Sequence, residues 1–152
     1  MVWDFKTRPE LPNSQVDFYY WESPHKQIFE DFEAEVVNVH DGDTITLNWS
    51  ERNFNFPLRF LDIDAPEIKD GGETARDWLK QKIEGKLVDI IINRKNRVGK
   101  YGRLLGKVMF EGLDLGEQMI NLGLAKTFEN RNENKIIDTL LNLEAQNAIT
   151  AN

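Results

Sequence analysis

Apolar and polar residues alternate through residues 34–40, "AEVVNVH", and again through 44–49, "TITLNW", where Ile45, Leu47 and Trp49 fall at period two. That period marks half-buried strands, so the two runs read as a hairpin. Asp41, Gly42 and Asp43 join them, and an Asp-Gly pair in this setting signals a tight turn because glycine takes the positive φ such turns need. Asp43 shares the parity of Ile45 and Leu47. It is therefore expected at the mouth of the inward face, where a carboxylate is costly to bury unless it is paired or metal-bound. Residues 54–63, "FNFPLRFLDI", form a third strand candidate, with Pro57 pointing to an edge or a bulge. Arg59 and Asp64 are five apart and would face opposite ways on a regular strand. The strand must break before Asp64, and Pro66, which restricts Ala65, is the expected cause.

In "ETARDWLKQKIEG", residues 73–85, Ala75, Trp78, Leu79 and Ile83 recur at helical spacing and Gly85 is the stop. Residues 86–93 and 103–110 read as two more strands, and 115–125 and 134–149 as helices, the last with Ile137, Leu140, Leu141 and Ala148 on one face. Five strands, with one helix after the third and two after the fifth, predict a mainly β, α+β fold. The expected architecture is an OB-fold, a five-stranded Greek-key β-barrel with three α-helices.

The chain's 152 residues suit one domain, and 40% hydrophobic and 30% charged residues fit a folded chain. No apolar run approaches the ~20 residues of a membrane span. Asp4, Lys6, Arg8 and Glu10 stand where a signal peptide would be apolar, so the sequence as given reads as cytoplasmic, although a secreted protein trimmed of its leader would read the same. The absence of cysteine excludes disulfides and thiolate metal sites. A net charge of −7 argues against a general polyanion binder. Yet residues 93–107 carry Arg94, Lys95, Arg97, Lys100, Arg103 and Lys107, six of the nineteen basic residues, and no acid. An acidic body with one basic strip suits a protein that holds both a cation and a phosphate. The first 32 residues hold eight of the sixteen aromatics. The expected division is an aromatic-rich extension over 1–32 and a domain over 33–149. The extension is expected to fold onto the barrel, because eight exposed aromatics would make an apolar patch unusual for a monomer. His25, within it, reads as a structural or exposed residue.

The ordered motifs "DGDT" (41–44), "LRFLDIDAPE" (58–67), "KYGR" (100–103) and "GLAK" (123–126) closely resemble the staphylococcal nuclease (thermonuclease) family over roughly residues 34–148. The resemblance implies that Asp43, Asp64 and the backbone carbonyl of Ala65 hold a calcium ion. It implies that Arg59, Glu67 and Arg103 are catalytic and that Lys100 and Tyr101 contact a substrate phosphate, with Asp41 an acidic neighbour of the metal. The implied activity is calcium-dependent hydrolysis of phosphodiester bonds in DNA and RNA, leaving 3′-phosphate ends, with single strands the expected preference. A monomer without membrane attachment is expected. The donor types suit a hard cation that takes several oxygen ligands. Three departures stand out. Asp62 occupies a position that is usually glycine or apolar in the family. Glu129 and Arg131 fall where the family offers tyrosines for stacking, with Phe128 a substitute. The first 32 residues have no counterpart. The alternative is a noncatalytic nucleic-acid-binding OB-fold module, which would typically have lost the acids and arginines that this chain keeps.

Overall fold

The computed structural model describes residues 3–127, and within them an antiparallel sheet curls until its ends meet. The strands are β1 (Phe32–Asp41), β2 (Thr44–Asn48), β3 (Phe56–Phe60), β4 (Ile63–Asp64), β5 (Leu87–Ile91), β6 (Leu104–Phe110), β7 (Leu113–Asp114) and β8 (Lys126–Thr127). The main sheet runs β3-β2-β1-β5-β6-β7, and a parallel pairing of β3 with β6, Leu58 opposite Leu104, closes it. The result is a five-stranded barrel of OB type, built from β1, β2, β3, β5 and β6. Closure removes the open edges that an antiparallel sheet would otherwise expose. Val36, Ile45, Leu47, Phe56, Leu58, Phe60, Ile90, Leu104 and Val108 fill its interior, each at most 2% exposed.

Among the described residues three α-helices accompany it: α1 (Val16–Tyr19), a single turn in the N-terminal segment, α2 (Glu73–Ile83) and α3 (Leu115–Asn121). Helix α2 buries Ala75, Leu79 and Ile83 of the expected stripe, leaves Trp78 half-buried, and packs against β1. Helix α3 starts at Asp114, whose carboxylate accepts the amide of Glu117, and buries Leu115 and Met119. It ends earlier than the expected residue 125. Gly123 takes φ +75°, and the amides of Gly123 and Leu124 bond back to Ile120 and Met119, a Schellman stop. The chain then turns into β8. The expected helix over 134–149 lies outside the described residues, as do Phe128, Glu129 and Arg131.

The third strand also differs from expectation. It divides into β3 and β4 at a turn over Leu61–Asp62, with Asp62 at φ +66°, so the break falls before Asp64 but at that turn and not at Pro66. Nor is β3 an edge. Its ladder with β6 begins only at Leu58, so Pro57 pairs on the β2 side alone.

The N-terminal segment is docked on the barrel through a buried ionic cluster. The carboxylate of Glu10, 2% exposed, sits between Arg52 and Arg97, 5% and 1% exposed, pairing with Arg52 Nη2 and, at 3.0 Å, with Arg97 Nη2. It also accepts the Ile28 amide. Arg97 further donates to the carbonyls of Leu11 and Ile28 and to Asn13 Oδ1, and its guanidinium lies 4.0 Å from the Phe29 ring centroid. Burial pulls both guanidiniums down to about 10, so both stay charged at neutral pH. Arg94 pairs with Glu30 at 3.0 Å. Two members of the basic strip therefore anchor the segment instead of facing a phosphate. His25 is half-buried against Phe54 and Phe5. Among the described residues no helix is long and apolar enough to cross a membrane.

Candidate active site

The β1–β2 hairpin, the β3–β4 turn and the loop before β6 meet at one mouth of the barrel. Asp41 ends β1 opposite Thr44, with Gly42 and Asp43 as the two-residue turn. Gly42 is not among the residues with positive φ. Its need for glycine is close packing: a Cβ there would stand 2.8 Å from the Cβ atoms of both Ala65 and Ala75. The motif's glycine thus lets the turn press against the segment that carries Ala65.

Asp43 is buried, 6% exposed. Its Oδ2 accepts the Ala65 amide at 2.9 Å and faces Arg59 Nη2 at 3.3 Å, while the Thr44 hydroxyl donates to its Oδ1 at 3.2 Å. Burial, with Asp41 alongside, pushes the Asp43 carboxyl well above the usual carboxylate range, to about 6. The Ala65 amide and Arg59 oppose that rise without cancelling it.

Register places Arg59 directly opposite Thr44. One of its terminal nitrogens donates to the carbonyls of Phe60 and Ile63, bracing the two sides of the Leu61–Asp62 turn. The other contacts Asp43 and, at 3.4 Å, Asp64. Asp64 is half-buried and pairs across β4–β8 with Lys126, so the "GLAK" segment holds the strand that carries it. Asp64, Ala65 and Pro66 line a pocket of about 230 Å³ with Gly123–Lys126. Arg103 donates to the Thr44 hydroxyl at 3.2 Å. Asp64, Arg59, Asp43, Thr44 and Arg103 therefore form one continuous chain of polar contacts.

The other expected residues lie outside that chain. Lys100 and Tyr101 are exposed on the turn before Arg103, whose guanidinium is 5.7 Å from the Tyr101 ring centroid. Glu67 is also exposed and pairs with Lys69 at 3.6 Å, so its carboxylate does not join Asp43 or Asp64. Asp62 faces solvent, and its positive φ accounts for a position where glycine is at home. Thr44 has the opposite parity to Asp43 and Ile45, so the alternation gives no signal for it as a site residue, and its link to Arg103 is created by the fold. Among the described residues no three carboxylates or imidazoles converge as a ready metal cage. The carboxylates of Asp43 and Asp64, both held by Arg59, are oxygen donors of the kind a hard cation takes.

Fold and site together define an OB-fold domain with an acidic, arginine-flanked mouth. The family model of staphylococcal nuclease homologues matches residues 57–149, and the chain belongs to that family. An Escherichia coli protein named as an uncharacterized endonuclease is 34% identical over 114 residues, covering 74% of this chain and 71% of that protein. Endonuclease YncB of Bacillus subtilis is 30% identical over 93 residues, 57% of this chain and 43% of that protein. The prophage-derived endonuclease YokF of the same species is 33% identical over 94 residues, 57% of this chain and 31% of that protein.

Proposed function

We propose that this chain is a calcium-dependent nuclease that hydrolyses phosphodiester bonds in DNA and RNA, with single strands preferred and 3′-phosphate ends as products. Membership of the nuclease family and relatives named as endonucleases support the general reading. The observation that carries it is the continuous contact chain from Asp64 through Arg59, Asp43 and Thr44 to Arg103. In the catalytic reading the two guanidiniums and two carboxylates at one mouth have a joint task, which a noncatalytic binding module does not require of them.

Asp43, Asp64 and the carbonyl of Ala65 would hold the ion, and bound calcium supplies Lewis-acid polarisation of a phosphate oxygen. Arg59 and Arg103 grip phosphate oxygens through planar, charged forks and oppose the charge that grows in the transition state. Glu67 orients or deprotonates the attacking water. Its present partner is no obstacle, since an exposed ion pair such as Glu67–Lys69 is worth under about 1 kcal/mol. Lys100 and Tyr101 contact a neighbouring phosphate.

Calorimetric calcium titrations, paired with turnover at saturating metal, test these roles. Asp64→Ala is expected to weaken calcium binding and to recover activity partly at high calcium. Glu67→Gln should lower turnover ~10²-fold or more with calcium affinity nearly unchanged, and Arg103→Lys should behave like it. Equal loss of metal affinity in all three variants would overturn the assignment.

A further inference from the structure

The N-terminal segment does more than rest against the barrel, because it delivers a cation to the loop that carries Lys100, Tyr101 and Arg103. A Cβ built on Gly102 would stand 2.7 Å from Arg8 Nε and 3.4 Å from its Cζ, so the Arg8 guanidinium lies directly over that glycine. Arg8 is exposed, and among the described residues no carboxylate pairs with it. Its position is nonetheless built. The Arg8 amide bonds to the Asp4 carbonyl at 3.0 Å, the Trp3 indole donates to the Arg8 carbonyl at 2.8 Å, and the guanidinium lies 5.7 Å from the Trp3 ring centroid. Asp4, four residues before Arg8, is occupied by the Thr7 hydroxyl and the Lys6 amide. Two residues beyond Arg8, the buried Glu10 fixes the segment between Arg52 and Arg97.

On a protein of net charge −7, a strand of phosphates is repelled by most of the surface and drawn to the places where cations gather unpaired. Tyr101, 73% exposed, offers a ring to the same region, with Lys100 Nζ 5.9 Å from its centroid. Alternating cations and exposed rings along a surface are the usual means of holding a single strand, through phosphate contacts and base stacking that tolerate any sequence. We propose that Arg8, braced by Trp3, forms a strand-binding subsite continuous with Lys100 and Tyr101, which takes a single-stranded nucleic acid beyond the bond to be cut. The subsite rests on the reading of the chain as a nuclease and extends it to longer substrates.

The test compares the unaltered chain with Arg8→Ala and Arg8→Lys. Fluorescence anisotropy is measured in chelator with labelled oligothymidylates of about 4 and about 16 nucleotides, a span that brackets the site sizes of single OB-folds. Kinetics on the same oligomers are measured in calcium. Arg8→Ala is expected to weaken binding of the long oligomer roughly three- to tenfold and to lower its salt slope by about 1. Its KM on the long oligomer should rise while kcat and all short-oligomer values hold, and Arg8→Lys should restore most of the loss. Unchanged long-oligomer affinity and salt slope in Arg8→Ala would overturn the subsite. So would an equal loss at both lengths accompanied by a lower melting temperature, or no length-dependent binding by the unaltered chain. If the unaltered chain cuts nothing, the nuclease reading fails on that control, while the anisotropy still decides whether Arg8 binds a strand.

Discussion

At the scale of single residues, Asp43 shows how a buried carboxylate sets its charge against stability. Its place on the inward face is legible in the alternation with Ile45 and Leu47, because strand parity is a local property. Its partners are not legible in that way, since the Ala65 amide lies 22 residues away in the chain. The structure also changes the reason for Gly42, from turn conformation to close packing against Ala65 and Ala75, a requirement that only the tertiary fold creates. The folded Asp43 carboxyl titrates near 6, above its unfolded value. Such a group contributes stability that is present below about pH 4 and lost as pH rises through about 6. At pH 7 without added metal the ionised side chain therefore costs the fold up to about 3 kcal/mol, the upper limit set by the size of the shift. Asp43→Asn is expected to raise the metal-free melting temperature by a few degrees at pH 7 and to leave it nearly unchanged at pH 4, while abolishing calcium binding. Thermal melts at the two pH values check this, and a lower melting temperature at pH 7 would contradict it.

Among the elements, β1, β2, β5 and α2 were legible because the core-facing residues of each recur with its own period, whereas β6, buried at Leu104, Leu105 and Gly106 in succession, reads as an apolar run. The division of the third strand was only half legible. The parity conflict between Arg59 and Asp64 demands a break, but a turn with a non-glycine residue at positive φ, Asp62, has no local signature. The basic strip was misread in part for a related reason. Its charges look alike in sequence, yet Arg97 is buried against a carboxylate 87 residues away and Arg94 reaches Glu30. The N-terminal segment depends on that cluster, where one carboxylate serves two guanidiniums. Removing one member of a buried ionic group leaves uncompensated charge and costs about 3–5 kcal/mol. Glu10→Gln should therefore lower the melting temperature by roughly 10 °C, at about 2–4 °C per kcal/mol for a chain of this size. Scanning calorimetry measures the shift, and a change within a degree or two would mean that the cluster does not hold the segment.

For the whole molecule, the barrel explains why residues from distant parts of the sequence can act together. The β1–β2 turn brings Asp41 and Asp43, the β3–β4 turn brings Asp64 and Ala65, and the loop before β6 brings Arg103. Closure of β3 on β6 sets Arg59 beside Leu105, two residues after Arg103. Most of this constellation could be expected from motif order. Glu67 is the exception, because it lies on an exposed loop where its carboxylate pairs with Lys69 and not with the residues of the mouth. The account stands or falls on whether that mouth cuts a phosphodiester when calcium is supplied. The direct measurement is incubation of the purified chain with single-stranded DNA, in millimolar-range calcium and in excess chelator, with the product ends analysed. The account predicts cleavage to 3′-phosphate ends in calcium and none in chelator. Full cleavage in chelator, or binding without cleavage in calcium, would contradict it.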